Sequence, residues 1–272
     1  MKKWFVTSLV VLTSVFVNIV AKAGVPLNNL EGVGGVAFNP LAYTAGTAFD
    51  KNDFSLAGVF SKPQLGAWYV HLGDTNIDWT TISVAETFFN RLEVSYGHET
   101  IGISNAETIY KNNVGLKLLL LPESDVIPAV SFGTILKQTT FDAPGVDKSG
   151  EDYYLVATKL IKELPKPVLL SGGFLSTRSR TTGVLGFDKD RKEVLFGNID
   201  VLPLENVALG FEYRQGPHYS DWKDASYWDI HVAWFVNPNL TLVGAYVNAG
   251  DKNSTSRVGL GDGVVFSIQY AF

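Results

Sequence analysis

The last nine residues, Val264 to Phe272, constrain the fold more than any other stretch of the chain. Large apolar or aromatic side chains occupy every second position, and mostly small or polar side chains lie between them. A period of two puts the two sets on opposite faces of a strand. This pattern is typical of a transmembrane β-strand with lipid on one side and a lumen on the other. An edge strand of a soluble sandwich is the alternative interpretation.

The same alternation recurs from Leu65 onward and predicts about 12 strands. Short turns such as Asn90-Arg91 join the strands at one end, and longer polar loops such as Glu99 to Asn112 and Gln215 to Ser226 join them at the other. Outer-membrane barrels have tight periplasmic turns and long external loops. Residues 61–272 are therefore predicted to form an all-β, transmembrane, antiparallel up-and-down β-barrel in the cell outer membrane, in contact with outer-membrane lipid.

The amino terminus has the order of a secretory signal peptide. Lys2 and Lys3 precede an apolar run from Trp4 to Val20, and Ala21-Lys22-Ala23 supplies the small residues of a cleavage site. Residues 1–23 are predicted to be removed. No later window of about 18 residues is apolar enough for a helical span, so membrane residence has to come from strands.

Residues 24–60 are rich in glycine and show little alternation. We expect them to form a plug-like segment folded into the barrel lumen or its mouth, because glycine permits close packing. The alternative is one additional hairpin that uses Val33 to Phe38 and Phe54 to Phe60. That hairpin would raise the barrel to about 14 strands.

Composition excludes several classes of protein. The formal net charge is −5 at pH 7 and the lysines are scattered among acidic residues, so no nucleic-acid partner is expected. The chain has no cysteine, which excludes a disulfide scaffold, a thiol nucleophile and thiolate metal ligands.

Polar positions opposite the apolar face predict the side chains that line the lumen. These residues are Glu93, Lys117, Lys159, Asp200, Glu212, Arg214, Asp229, His231 and Gln269. They would keep a barrel of this size wet, which favours a narrow or gated pore or transporter for small solutes. The alternative is a non-transporting barrel that serves envelope assembly, surface polymer export or adhesion. The sequence does not identify the solute.

The lumen set contains little that predicts chemistry. Pairing the last hairpins puts Glu212 opposite Asp229, so Arg214 is expected to lie diagonally from Asp229 and to neutralise it. The four histidines lie in separate segments without metal-ligand spacing, so no metal, cofactor or catalytic residue is predicted. Asp229 and His231 share one strand face, and an outer-membrane hydrolase remains as an unfavoured alternative to a non-enzyme.

Two resemblances extend this interpretation. The closing strand, with Phe266, Ile268, Tyr270 and Phe272 on one face, resembles the C-terminal signature by which bacterial barrels are handed to the barrel assembly machinery. That machinery is therefore an expected partner.

The stretch from Leu30 to His98 contains four short motifs: Leu30-Glu31-Gly32-Val33-Gly34-Gly35, Asn39-Pro40-Leu41-Ala42, Gln64-Leu65-Gly66-Ala67 and Asn90-Arg91-Leu92-Glu93-Val94-Ser95. With these motifs the stretch resembles the N-terminal region of a proteobacterial family of outer-membrane proteins of unknown function. The resemblance implies an outer-membrane barrel and supplies no substrate or catalytic residue.

Overall fold

A computed structural model of the chain describes residues 27–46 and 59–272. Within them, twelve antiparallel strands form one closed barrel in which neighbours in sequence pair with one another. The strands are β1 Gln64–Leu72, β2 Ile77–Phe88, β3 Leu92–Ile103, β4 Ile109–Leu121, β5 Ala129–Thr139, β6 Ser149–Ile161, β7 Val168–Ser179, β8 Phe187–Leu204, β9 Val207–Arg214, β10 Tyr227–Phe235, β11 Leu240–Asn248 and β12 Asp262–Ala271. The predicted architecture is confirmed.

The barrel closes where β1 pairs with β12. The register runs from Gln64 opposite Ala271 to Leu72 opposite Gly263 without interruption. No position is left for a further hairpin between these strands, so the fourteen-strand alternative is wrong. A closed sheet has no free edge, so the soluble-sandwich alternative is also wrong.

The outer face of the wall carries the apolar side chains. Along β9, Leu209 and Phe211 are exposed while Ala208 and Glu212 are buried, and the other strands alternate in the same way. A soluble protein rarely leaves so continuous an apolar surface exposed. The four aromatic and aliphatic residues of the closing strand lie on this face. Their role as an assembly signal stays a prediction.

The connections are shorter than expected at one point. Residues 104–108 alone join β3 to β4, so the predicted loop from Glu99 to Asn112 is wrong. The three longest connections, residues 140–148, 215–226 and 249–261, lie at the end of the barrel opposite the 89–91 and 236–239 turns. Residues 180–186 lie at the same end as these three and are as many as residues 122–128 at the other end. Among residues 27–46 and 59–272, no helix is long and apolar enough to cross a membrane.

Residues 27–46, called the luminal segment below, contain turns and isolated bridges such as Asn28 to Gly34, but no strand. They are mostly buried, and their hydrogen-bond partners are inward-facing side chains of the wall. The predicted signal peptide, residues 1–23, lies outside the described residues, as do residues 24–26 and 47–58. The predicted boundaries of residues 24–60 as a unit therefore stay a prediction.

Candidate functional site

Glu93 and Lys117 face each other across β3 and β4 and hold the luminal segment by its backbone. Their charged atoms lie 2.9 Å apart. Glu93 accepts hydrogen bonds from the N–H groups of Gly34 at 2.8 Å and Ala45 at 2.7 Å. Lys117 donates to the carbonyl oxygens of Gly34, Leu41 and Tyr43. One buried ion pair thus satisfies backbone groups that would otherwise be unpaired away from water.

A second group of charges surrounds the Glu31 side chain and is called the balanced cluster. Its members are Glu31, Glu99, Lys111, Lys137, Asp152 and Arg214. Lys111 lies 2.9 Å from Glu99 and 3.2 Å from Glu31. Lys137 lies between Glu31 and Asp152. Three cations therefore meet three carboxylates, and the luminal segment supplies one of those carboxylates.

The charges around Glu31 control its ionisation. Glu31 belongs to the luminal segment and lies outside the membrane-spanning strands. Burial alone would raise its pKa, but Lys137, Lys111 and Arg214 outweigh burial and hold the pKa well below its usual range. Glu31 is therefore a carboxylate at neutral pH, and the segment is attached to the wall by charge as well as by backbone hydrogen bonds.

A third group, called the acidic cluster, consists of Asp200, Glu212, Asp229 and His231 on β8, β9 and β10. The register explains how they meet, because Asp229 lies directly opposite Glu212, as predicted, and Gly210 lies opposite both Asp200 and His231. The His231 ring contacts Asp229 through Nδ1 at 2.7 Å and Asp200 through Nε2 at 2.8 Å. A Cβ at Gly210 would lie 2.2 Å from His231 Nε2, so only glycine leaves room for this contact.

The acidic cluster also binds the luminal segment. Glu212 is fully buried and accepts three hydrogen bonds, from the N–H groups of Ala37, Phe38 and Asn39 at 2.6, 3.1 and 3.0 Å. Three successive N–H groups around one carboxylate form an anion-binding concavity. The segment therefore contacts the acidic cluster with backbone dipoles and not with a charged side chain.

The luminal segment reaches the seam of the barrel through Asn28. Its N–H donates to Oε1 of Gln269 at 3.0 Å, and its carbonyl accepts from Nε2 of Gln269 at 3.2 Å. Trp68 on β1 donates its indole N–H to the same carbonyl at 2.7 Å. On the other side of the lumen, Ala42 donates to Thr158 at 2.8 Å. The segment is thus bonded to opposite walls.

Two predictions for individual residues are wrong. Lys159 lies on the face of β6 that carries Leu155, outside the lumen, and its ammonium bends to the turn carbonyls of Ser124 and Asp125. A lysine near a strand end can keep its charge at the membrane boundary in this way. Arg214 does not neutralise Asp229, because its guanidinium contacts Phe38, Asn39 and Glu31 of the luminal segment.

The other residues predicted to line the lumen are buried in the barrel interior: Glu93, Lys117, Asp200, Glu212, Arg214, Asp229, His231 and Gln269. Sequence reasoning missed Glu99, Lys111, Lys137 and Asp152, which complete the balanced cluster. Lys137 continues the inward set of β5 that begins at Ala129, so strict alternation would have identified it.

Loops fold over the end of the barrel that carries the long connections. Val184 is buried, and its carbonyl accepts a hydrogen bond from Thr139 at 2.9 Å. Arg180 pairs with Asp221 at 3.0 Å, and the Thr181 N–H donates to Asp224 at 2.7 Å. Burial raises the pKa of Asp224 to about 6. These contacts tie residues 180–186 to residues 215–226 across the opening.

A closed barrel with an apolar outer face and charged side chains in its interior defines an outer-membrane β-barrel protein. The chain belongs to the family described as Protein of unknown function (DUF3034), whose family model matches residues 24–261. This agrees with the resemblance drawn from its N-terminal region. No curated protein matches the chain.

Solved structures to which the chain is similar include two porins and one outer-membrane protein. The KdgM porin is 13% identical with a TM-score of 0.52, covering 77% of this chain and 99% of the porin. The NanC porin is 11% identical with a TM-score of 0.52, covering 76% of this chain and 98% of the porin. Omp33 from Acinetobacter baumannii is 11% identical with a TM-score of 0.48, covering 79% of this chain and 100% of Omp33. At such identities the first two similarities establish the fold alone.

Proposed function

We propose that the protein is a gated outer-membrane pore for small solutes, closed by the luminal segment and opened when that segment moves. The observation that carries this proposal is the way the segment is held. Its backbone is bonded to Gln269, Glu93, Thr158 and Glu212, which lie on four separate strands. A stretch bonded to opposite walls blocks the path along the barrel axis.

The polar contacts of the luminal segment also fit a segment that can leave the lumen. The segment is held by hydrogen bonds and ion pairs with polar wall residues, and water or solute groups can replace such partners when the segment leaves. The wall strands pair with one another independently of the segment. The barrel can therefore keep its shape while the lumen opens, and the porins with this fold give the proposal its precedent in architecture.

The proposal does not include catalysis. In a serine hydrolase one histidine nitrogen accepts the proton of the nucleophile. Both ring nitrogens of His231 instead contact carboxylates, at 2.7 and 2.8 Å. This arrangement does not support the hydrolase alternative.

A second candidate is a non-transporting barrel in envelope assembly, surface polymer export or adhesion. An apolar cluster inside the barrel gives this candidate its specific support. Leu27 and Phe38 of the segment are buried in one cluster with side chains of the wall and of a loop, namely Trp68, Trp79 and Val184. Burial of each large side chain stabilises the filled state by about 1.5–3 kcal/mol. A lumen filled in this way fits a barrel that does not conduct.

Single-channel recording in planar bilayers separates the two candidates. We expect brief or small openings from the full-length protein and sustained, larger conductance after deletion of residues 25–49. The same deletion should sensitise cells to bulky antibiotics. If both proteins are folded, as judged by heat-modifiable migration in gels, and neither conducts, the non-transporting candidate takes the place of the pore.

A cysteine tether tests the gate without deleting any residue. The chain has no cysteine, so a disulfide between Ala42→Cys and Thr158→Cys would be the single cross-link of the protein. These residues already share a hydrogen bond of 2.8 Å. We expect the oxidised protein to stay closed and the reduced protein to conduct like the wild type, with Ala42→Cys alone as the control. Equal conductance of the oxidised and reduced forms would show that the segment is not the gate.

A further inference from the structure

The acidic cluster contains more negative charge than its surroundings balance. Asp200, Glu212 and Asp229 are buried carboxylates, and His231 is buried among them. Within the described part of the chain, His231 is the one basic side chain within 4.0 Å of any of these carboxylates. Even an imidazolium leaves the group with an excess of negative charge. Buried charges are normally paired or bound to a metal, because an unpaired charge is strongly destabilising in a low-dielectric site.

The cluster also has acceptor atoms without a donor. Oδ1 of Asp229 contacts His231, but Oδ2 of Asp229 is buried and has no hydrogen-bond partner. Oε1 of Glu212 accepts one N–H, from Ala37, whereas Oε2 accepts two. A carboxylate oxygen has two lone pairs, so Oε1 retains one. Unfilled lone pairs on two neighbouring carboxylates are the electronic requirement for binding a cation.

We propose that Glu212, Asp229 and His231 bind a divalent transition-metal ion. One ligand atom from each residue lies within 4.8 Å of the others. A tetrahedral ion holds its ligands at about 2.0–2.2 Å, which places them roughly 3.4 Å apart. The side chains therefore close by at most ~1.4 Å, which is within the reach of small rotations about their side-chain bonds. One imidazole with two carboxylates suits zinc or manganese better than calcium or magnesium.

Asp200 is assigned a positioning role in this site. It contacts Nε2 of His231 at 2.8 Å, across Gly210. A carboxylate that accepts the second ring N–H fixes the orientation and tautomer of a metal-binding histidine. The metal then replaces the proton at Nδ1, and that proton is released to solvent. The site thus has three ligands from two strands and an orienting carboxylate from a third.

The proposal is tested with the full-length protein refolded into detergent micelles with Zn²⁺ or Mn²⁺, or with a chelator. After exhaustive dialysis we expect one metal ion per barrel by elemental analysis. His231→Ala should abolish retention of the metal. Asp229→Asn, which keeps the shape of the side chain, should weaken binding at least tenfold, and Asp200→Asn should weaken it about 10–100-fold.

The matched control is His71, which is partly exposed and lies 2.9 Å from Asp78. His71→Ala also removes a histidine next to a carboxylate, and we expect it to retain the metal. Heat-modifiable migration in gels reports whether each variant is folded. Absence of both metals from the folded wild type would overturn the proposal. Retention of metal by folded Asp229→Asn at wild-type affinity, or its loss in His71→Ala, would also overturn it.

Discussion

The balanced cluster and the acidic cluster use the same residue types inside one barrel, but they neutralise charge in different ways. Around Lys111 and Lys137 every cation has a carboxylate partner, and Glu31 of the luminal segment supplies one of them. Around His231 two carboxylates contact one imidazole, and the third carboxylate, Glu212, receives only backbone N–H groups from the segment. The first cluster is completed by the segment, whereas the second is left with negative charge.

This difference predicts that substitutions in the two clusters change the free energy of unfolding by different amounts. Removing one partner from a balanced buried network leaves an uncompensated charge and is strongly destabilising. Removing one carboxylate from an over-charged network relieves repulsion, which offsets the loss of its hydrogen bonds. The same type of substitution should therefore destabilise the barrel more in the balanced cluster than in the acidic cluster.

The largest effect is expected at Lys137. Lys137→Met keeps the length of the side chain but leaves Glu31 and Asp152 without their shared cation. Breaking such a buried pair costs about 3–5 kcal/mol, measured as the free energy of unfolding in a urea titration in lipid or detergent. Lys148→Met is the control, because Lys148 pairs with Asp142 at an exposed site at 2.8 Å. If both variants lose the same free energy of unfolding, the buried ion pairs of Lys137 stabilise the barrel no more than an exposed ion pair does.

Protonation of Glu31 should have the next largest effect. The folded pKa of Glu31 lies below its ordinary value of 4.5. Its contribution to stability is therefore complete above pH 4.5 and is lost as the pH falls below that value. The wild type should therefore lose the contribution of this group, on the order of 1 kcal/mol or more, between neutral pH and strong acid.

Glu31→Gln should have a flatter stability profile over this acidic range, because it has no proton to gain. Unfolding midpoints at neutral and acidic pH measure the difference. Glu163→Gln, at an exposed position in the turn between β6 and β7, should follow the wild-type profile. A wild-type profile for Glu31→Gln as well would mean that other carboxylates cause the acid sensitivity.

Alternation made the wall predictable, because its period places each residue inside or outside from local sequence alone. The alternation pattern gave wrong strand ends where charged side chains are buried in the barrel. Glu99 and Lys111 made the ends of β3 and β4 resemble a polar loop, yet the two side chains pair inside the barrel at 2.9 Å. Their third partner, Glu31, lies 80 residues from Lys111 in sequence. No local pattern predicts a contact over that separation.

The luminal segment shows the same limit. Its glycines and weak alternation indicated that it lies inside the barrel, but its anchors depend on several strands at once. Glu212 was predicted to line the lumen, but its hydrogen-bond donors were not predicted. The Glu212 carboxylate accepts hydrogen bonds from the N–H groups of Ala37, Phe38 and Asn39. The acidic cluster was predicted only in part. Glu212 was placed opposite Asp229, and Asp229 with His231 on one strand face, but Asp200 joins them through the pairing of β8 with β9, which was not aligned from the sequence.

The smallest change in the free energy of unfolding is expected for a substitution of Asp229, and this substitution gives the most direct comparison of the two clusters. With a chelator present, Asp229→Asn removes a negative charge from the acidic cluster and can keep one hydrogen bond to His231 at the position of Oδ1. The amide nitrogen takes the position of Oδ2, which has no partner in the wild type, so no hydrogen bond is lost there. We expect the free energy of unfolding to change by less than ~1 kcal/mol, since the loss of a charged hydrogen bond is offset by reduced repulsion. Asp152→Asn is the matched change in the balanced cluster, where the same substitution leaves Lys137 with one carboxylate fewer and should be destabilising. Equal losses in the two variants, measured in the same urea titration, would mean that the two clusters balance their charge alike.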